Sequence, residues 1–182
     1  MRRFSLFLAL AAALLTPAFS QTVSAQEPQT TVPACPSTPT LDQLITAIDA
    51  AVSGPADKDR TCFRELFAPD ARLIPIRIAA DGTATPRILT VDGWIDAVRK
   101  RGSQVFYEHQ IKVRSETWAH IAHLWSTYET RTTPDGKPPE GKVLDRGINS
   151  IQAVYDGKQW HILEIAWQAE TSADPVPEKY LP

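Results

Sequence analysis

Apolar side chains in the first part of the chain recur three and four residues apart, which is the spacing of one helix face. This pattern predicts an amphipathic helix from Leu41 to Val52. Thr40 and Gln43 fit a capping box at its start, and Gly54-Pro55 ends it. The residues that share the apolar face are Leu41, Leu44, Ile45, Ile48 and Val52.

Two more helices and one strand are predicted before residue 103. The second helix begins with Asp57 as its cap and ends before Pro69, with Cys62, Phe63, Leu66 and Phe67 as its apolar stripe. The segment from Arg72 to Ile78 is rich in branched residues and is predicted as a strand, which Pro75 restricts to an edge or a bulge. Thr90 caps a third helix, whose apolar face is Val91, Trp94, Ile95 and Val98.

From Val105 onward the pattern is typical of strands. Four are predicted, at Val105 to Arg114, Trp118 to Arg131, Leu144 to Tyr155 and Trp160 to Ala169. They are separated by Ser115-Glu116, by a loop from Thr132 to Lys142 and by the turn Asp156-Gly157. Helices followed by a long meander predict an α+β fold, with a curved antiparallel sheet packed on three N-terminal helices.

The first 25 residues have the pattern of a signal peptide. Arg2 and Arg3 precede an apolar run from Phe4 to Leu15 that is too short to cross a bilayer, and small residues end at Ala25. We therefore expect export to the periplasm or the medium, with no membrane segment in the mature protein. Residues 26–39 hold four prolines and predict a linker, residues 40–171 the folded domain, and residues 172–182 a tail.

Charge and cysteine content narrow the function classes. The chain has 182 residues and a net charge of -2, without a concentrated basic run, so a nucleic-acid partner is not expected. Cys35 and Cys62 are the only cysteines, and an oxidising compartment would allow them to form a disulfide. The alternative is two unrelated thiols, with Cys62 acting as a small apolar residue of a helix.

Three segments of the chain carry a resemblance to a known family: Phe67 to Leu73 after two helices, the third helix around Trp94, and Asp156 to Ile162 in the closing strands. Together they resemble the nuclear transport factor 2-like (SnoaL-like) superfamily. Ser126 to Arg131 and Gly147 to Gln152 are similar to a secreted bacterial branch without an assigned activity. The resemblance covers about residues 40 to 170 and implies a cone-shaped fold that encloses a pocket, often in a homodimer joined through the sheets.

The superfamily also includes enzymes, and their pattern differs from this chain. The resemblance implies that an isomerase-like member has a tyrosine on the first helix and a carboxylate just after the first strand begins. Here Leu41 to Val52 contains no tyrosine, and the strand reads Leu73-Ile74-Pro75-Ile76. Isomerase chemistry of that kind is therefore not expected, because a proton shuttle needs a titratable group beside the substrate.

Polar and aromatic residues on the predicted central strands are the candidates for a pocket, because small-molecule sites combine apolar walls with a few polar groups. They are His109, Trp125, Tyr128, Arg146, Asn149, Gln152, Glu164 and Trp167. Strand alternation means that they cannot all face inward. Glu164 lies between apolar neighbours, so we expect it to point outward or to pair with a buried partner, for which Arg146 is a candidate.

Neither a metal nor a cofactor is predicted. His120 and His123 are three residues apart, and on a strand this spacing places them on opposite faces. Glu108 and His109 complete no known zinc pattern with them.

Both faces of the second long strand are semi-apolar, which predicts a homodimer through the sheet. Three functions stay open: a pocket protein that binds a small, partly apolar molecule, an isomerase, dehydratase or hydrolase with an acid-base group in a non-standard position, and a protein-protein interaction module.

Overall fold

The computed structural model describes residues 34–102, 104–132 and 142–182 of the chain. The predicted signal peptide and most of the predicted linker lie outside these residues, as does most of the loop from Thr132 to Lys142. The helices are α1 (Leu41–Val52), α2 (Thr61–Glu65) and α3 (Val91–Arg99), with a short 3-10 helix at Glu178–Tyr180. The strands are β1 (Gly54–Pro55), β2 (Phe67–Ile78), β3 (Ala84–Pro86), β4 (Val105–Trp118), β5 (Ile121–Arg131), β6 (Val143–Tyr155) and β7 (Trp160–Ala169).

The strands form one seven-stranded sheet in the order β1-β4-β5-β6-β7-β2-β3. The α+β class is confirmed, but the expectation of a wholly antiparallel sheet is wrong, because β2 and β7 pair in parallel, with Leu73 opposite Ile165. These two strands are far apart along the chain. The elements between them return the chain to the same end of the sheet, which a parallel pair requires.

Helices α1 and α3 begin where their caps predict. The side chain of Thr40 accepts a hydrogen bond from the Gln43 backbone N–H at 3.2 Å, and the Gln43 side chain accepts one from the Thr40 N–H at 3.2 Å. The Thr90 hydroxyl accepts a hydrogen bond from the Gly93 N–H at 3.0 Å. Because these caps and the apolar periodicity are local features of the sequence, both helices could be predicted without tertiary information.

Three predicted boundaries are wrong. Helix α2 ends at Glu65, and Phe67, which was predicted on its apolar stripe, begins β2 ahead of the predicted start at Arg72, because Phe67 pairs with Ile162 of β7. Helix α2 begins at Thr61 instead of Asp57, because the preceding Arg60 side chain is buried beneath the end of α1 and holds the chain outside helical geometry. The turn between β4 and β5 falls at Ala119-His120 instead of Ser115-Glu116. Residues 113–118 of β4 are exposed on both faces of the strand, so polar residues continue it at no cost in buried surface.

One face of the sheet, here called the inner face, packs against the helices. Its buried residues join the apolar faces of α1 and α3 in a single core. Fully buried side chains of this core are Leu44, Ile95, Leu124, Ile151 and Ile162. No helix within the described ranges 34–102, 104–132 and 142–182 is both long and apolar enough to span a membrane.

The described chain begins with a segment attached to the domain. Cys35 and Cys62 are joined by a disulfide, which ties this segment to α2. Thr38 is buried, and its hydroxyl and carbonyl form two hydrogen bonds with the backbone of Trp160, each at 2.8 Å. The boundaries of the linker and the domain stay predictions, and residues 35 and 38 contact the fold directly.

The C-terminal tail lies on the opposite, outer face of the sheet. The Thr127 hydroxyl donates a hydrogen bond to the carbonyl of Tyr180 at 2.6 Å, and the ammonium group of Lys112 donates one to the carbonyl of Leu181. The Tyr180 ring lies 5.3 Å from the guanidinium of Arg114 and 5.9 Å from the ring of Trp125. The tail therefore covers part of the outer face of β4 and β5.

Candidate functional site

A cavity of about 570 Å³ lies between the helices and the inner face of the sheet. Its inner walls are apolar and largely aromatic, formed by Ile48, Val52, Phe63, Phe67, Leu73, Trp94, Ile162, Ile165 and Trp167. The exposed residues at its rim include Arg101, Gln104, Leu144 and Asp145. This volume is in the range of small-molecule sites.

Three polar side chains meet the apolar walls: Glu108 from β4, Tyr128 from β5 and Asn149 from β6. Tyr128 and Asn149 are buried, whereas Glu108 is partly exposed. Strand alternation explains their arrangement, because each occupies an inward position of its strand and the three strands are neighbours. An apolar cavity with three converging polar groups has the composition that orients a bound ligand.

Glu108 is held by two amides. Its Oε1 accepts hydrogen bonds from Gln110 Nε2 at 2.9 Å and from Asn149 Nδ2 at 3.5 Å. Asn149 Nδ2 also reaches Gln110 Oε1 at 3.2 Å, and the backbone N–H of Gln110 donates to Asp49 Oδ2 at 3.1 Å. The amide and carboxyl groups thus fix one another at the polar end of the cavity.

The two carboxyl groups at this end favour their protonated forms. Burial, together with the negative charge of Asp49, raises the pKa of Glu108 to about 7. Burial also raises the pKa of Asp49 to about 6, against the opposing effect of its hydrogen bonds from Gln110. At the rim, burial raises the pKa of Asp145 as well. Glu108 can therefore donate or accept a proton near neutral pH.

Tyr128 provides a neutral hydroxyl beside these carboxyls. Burial and the neighbouring negative charges of Asp145 and Glu108 raise the pKa of its phenol, so it stays protonated. The phenol packs directly over Gly147, where an added Cβ would lie 2.7 Å from the Tyr128 hydroxyl oxygen. Gly147 thus leaves the space that Tyr128 occupies.

The pH dependence of stability tests the protonation of Glu108. Between pH 4.5 and about 7 the folded protein keeps a proton that the unfolded glutamate has lost, so raising the pH through this window favours unfolding. Glu108→Gln removes this titration. We expect the stability of the variant relative to the parent to increase by roughly 2 to 3 kcal/mol across the window, measured by urea unfolding at several pH values. A difference that is independent of pH would contradict the raised pKa.

Three of the eight residues predicted for a pocket line this cavity. They are Tyr128, Asn149 and Trp167. Glu108 lines the cavity without having been predicted as a pocket residue, whereas its predicted neighbour His109 does not line it. Strand alternation could have indicated Glu108, because Glu108 and Phe106 are two residues apart and therefore point to the same face of β4, and Phe106 lines the cavity.

The other predicted pocket residues lie elsewhere. Trp125 lines a second, mostly apolar cavity of about 340 Å³ between the outer face and the tail, which Trp167 also lines. Gln152 is exposed and lies opposite Glu164 in the strand register. Both of these residues lie outside the described linings of the two cavities.

Arg146, the candidate partner of Glu164, does not pair with it. Glu164 pairs with Arg72 at 2.9 Å, and the Arg72 side chain is 59% exposed. Arg146 instead contacts Glu170 at 2.9 Å and Glu129 at 3.6 Å. The parallel pairing of β2 with β7 places Arg72 opposite Glu164, which a meander of consecutive strands could not predict. Because the pair is largely solvated, we expect its loss to cost at most about 1 kcal/mol.

The histidines of the central strands are engaged separately. His120 Nδ1 lies 3.1 Å from the Tyr155 carbonyl, and His123 Nε2 lies 3.4 Å from the Ser150 hydroxyl. His109 is opposite Glu129 in the strand register. In the part of the chain that the structure describes, no three histidine, cysteine or acidic side chains are grouped as a metal site would require.

Comparisons with known proteins identify the fold. No protein-family model and no curated protein matches the chain. A solved structure that matches is the beta subunit of a putative aromatic-ring-hydroxylating dioxygenase from Novosphingobium aromaticivorans, at 13% identity over 71% of this chain and 86% of that chain, with a TM-score of 0.53. Another is a protein of unknown function from Mycobacterium tuberculosis, at 15% identity over 74% of this chain and 76% of that chain, with a TM-score of 0.51.

An NTF-2-like protein of unknown function from Silicibacter pomeroyi also matches, at 14% identity over 71% of this chain and 92% of that chain, with a TM-score of 0.46. The described domain shares its fold with the dioxygenase beta subunit and the Mycobacterium tuberculosis protein, which agrees with the α+β fold that the sequence resemblance implies. Identities this low describe the fold alone, and this fold hosts unrelated functions. The function must therefore be argued from the cavity itself.

Proposed function

We propose that the domain binds a small, partly apolar molecule in the cavity between the helices and the inner face of the sheet. The observation that carries this proposal is the open volume of about 570 Å³, with aromatic walls and the polar groups Glu108, Tyr128 and Asn149 at one end. Burial of apolar ligand surface against Phe63, Trp94 and Trp167 supplies affinity, and the polar groups supply orientation.

Filling the cavity tests this proposal. Thr130 lines the cavity and is partly exposed, so Thr130→Trp places an indole in the ligand space. We expect the parent to bind 1-aminoanthracene with increased fluorescence, and the variant to lose at least about tenfold in affinity. Thr117→Trp adds the same indole at an exposed position of β4 and should retain the affinity of the parent. Equal binding by both variants would place the probe outside the cavity.

General acid-base catalysis in the same cavity is the second candidate function. The observation that favours it is the Glu108 carboxyl beside the open volume, with a pKa raised to about 7 by burial and Asp49. Such a group could move a proton in an isomerase, dehydratase or hydrolase reaction. It differs from the isomerase-like pattern because Glu108 belongs to β4, whereas that pattern has its tyrosine on the first helix and its carboxylate near the start of the first strand.

Hydrogen exchange distinguishes catalysis from binding alone. A panel of small cyclic ketones in D₂O would be followed by NMR for exchange at the carbon next to the carbonyl. If the protein is a catalyst, the parent accelerates this exchange and Glu108→Gln does not. Glu116→Gln, which changes an exposed residue of the same strand, should accelerate the exchange as much as the parent does. Binding without acceleration by the parent would leave the pocket-protein function in place and count against the enzyme.

We also propose that the mature protein is exported. The signal-peptide pattern of residues 1–25 supports this, and the bond between Cys35 and Cys62 is a pairing that oxidising compartments favour. Expression of the full chain in a bacterial host followed by osmotic shock tests it. Recovery of a product shortened near Ala25 in the periplasmic or medium fraction is the expected result, and an unprocessed cytosolic product would contradict it.

The homodimer through the sheet stays a proposal. A partner sheet would meet the outer face, where the tail already contacts Thr127 and Trp125 of β5. Sedimentation at micromolar concentration tests it with the full mature chain. A dimer is the expected result, and sedimentation as a monomer alone would remove the proposal.

A protein-protein interaction module whose pocket is filled by its own side chains has less support. The described residues that line the cavity leave its volume open.

A further inference from the structure

Hydrogen-bond acceptors without donors concentrate at the polar end of the cavity. Glu108 Oε1 accepts two hydrogen bonds, whereas Oε2 accepts none from the described residues. Asn149 uses its Nδ2 as a donor to Glu108 and Gln110, which leaves Oδ1 as an acceptor without a donor in the described part of the chain. Both residues line the cavity. A ligand placed there would meet two oxygens that require N–H or O–H donors.

The same end of the cavity holds two acidic side chains, and Glu108 has no cationic partner there. No lysine, arginine or histidine among the described residues forms a salt bridge with Glu108, whereas His109 acts electrostatically on Asp49. An ionised Asp49 disfavours the ionised form of Glu108, and a bound cation would offset this repulsion. Asp49 Oδ1 is itself buried and has no hydrogen-bond partner among the residues that the structure describes. The cationic residue of the described lining is Arg101, which is exposed and lies beside the Phe106 ring.

The walls around this end suit a cation with apolar substituents. Phe63, Phe67, Trp94, Phe106, Tyr128 and Trp167 all line the cavity. Aromatic faces attract an ammonium group and also remove the hydrocarbon part of the ligand from water. An ammonium group has three donors and no acceptor, which complements carboxylate and amide oxygens without donors.

We infer that the ligand class of the cavity is a small aromatic or aliphatic amine, bound as its ammonium cation with its nitrogen between Glu108 Oε2 and Asn149 Oδ1. This inference rests on the proposed function that the cavity binds a small, partly apolar molecule. A charge-assisted hydrogen bond to Glu108 in an apolar surrounding is stronger than the corresponding neutral contact. The cation also relieves the repulsion between Glu108 and Asp49, so it favours the ionised form of Glu108.

Three probes of similar shape and different charge test the inference in the parent protein. They are 2-phenylethylamine, propylbenzene and 3-phenylpropanoate, each measured by displacement of 1-aminoanthracene at pH 7.5. We expect the amine to bind at least about tenfold more tightly than propylbenzene and the carboxylate to bind most weakly. Tighter binding of the carboxylate, through Arg101, would overturn the amine assignment while leaving the pocket intact. Failure of all three probes and of 1-aminoanthracene would instead reject the proposed function.

Two matched variants locate the charge preference. Glu108→Gln removes the carboxylate and keeps the side-chain size, so it should reduce the affinity for 2-phenylethylamine by at least about tenfold and change that for propylbenzene by less than about twofold. Glu116→Gln removes an exposed acid of the same strand and should change neither affinity. An amine affinity unaffected by Glu108→Gln would contradict the inference. The three-probe comparison needs no variant, so it decides the question even where Glu108→Gln fails to fold.

Discussion

Replacement of Arg60 by alanine is expected to lower the free energy of unfolding by about 4 kcal/mol. Arg60 is 1% exposed. Its Nη1 donates hydrogen bonds to the carbonyls of Ala51 at 2.7 Å and Val52 at 3.3 Å, and its Nη2 donates one to the carbonyl of Pro55 at 3.3 Å. The alanine variant removes these donors from the buried residues Ala51 and Val52, whereas the Pro55 carbonyl still accepts from the Lys58 N–H at 3.1 Å. The variant also creates a cavity.

The location of Arg60 extends this effect to the functional site. Its guanidinium lies 5.4 Å from the centre of the Trp94 ring, and Trp94 is a wall of the ligand cavity. Loss of this support should therefore weaken probe binding in whatever fraction of the variant remains folded. Arg60→Lys should lose about 2 kcal/mol, because an ammonium group cannot stack flat on the indole or donate in the same fork geometry.

Arg64→Ala is the control for this prediction. Arg64 lies on α2 and pairs with Asp92 at 2.7 Å, with side chains that are 43% and 71% exposed. Because this pair is solvated, its loss should cost at most about 1 kcal/mol. Urea unfolding of the parent and the three variants measures all of these differences. Equal losses for Arg60→Ala and Arg64→Ala would show that the buried guanidinium does not support the end of α1.

Gly147→Ala is the second change with a large expected effect. An added Cβ would lie 2.2 Å from the Gln168 carbonyl oxygen and 2.8 Å from the Ala169 Cα, and both of these atoms belong to the backbone of β7. The methyl group can be accommodated only if β6 and β7 separate locally. We expect a loss of more than about 3 kcal/mol, together with a displaced Tyr128 and weaker ligand binding.

Gly82→Ala separates this steric effect from the general effect of removing a glycine. Gly82 has a φ of +83° and open space around the Cβ position, so its substitution strains the backbone without a clash. We expect a loss of about 1 kcal/mol there and unchanged probe binding. Thermal unfolding with a binding titration measures both effects, and a Gly147→Ala variant as stable as Gly82→Ala would contradict the close approach of β6 and β7.

Features that depend on local sequence could be predicted, and features that depend on distant contacts could not. The capping residues and periodic apolar positions of α1 and α3 predict those helices correctly. The start of α2 depends on the burial of Arg60 under α1, and arginine is normally exposed. The parallel pairing of β2 with β7 joins two strands that are far apart along the chain, and a local sequence pattern cannot predict such a long-range pairing.

The same distinction explains the candidate site. Tyr128, Asn149 and Trp167 were predicted because aromatic and amide side chains on central strands are typical of pocket walls. Glu108 was not predicted, and its neighbour His109 was. Successive residues of a strand point to opposite faces, so this difference of one residue selects the wrong face of β4. The walls contributed by Phe63 and Trp94 read as ordinary helix core, since only the packed structure shows that space is left between them and the sheet.

The most direct measurement of the central claim is a crystal structure of the mature protein grown with propylbenzene. Our account predicts ligand density inside the cavity, between Trp94 and Trp167, with the Glu108 carboxyl at its polar end. A cavity closed by protein side chains, with propylbenzene found only on the surface, would contradict it.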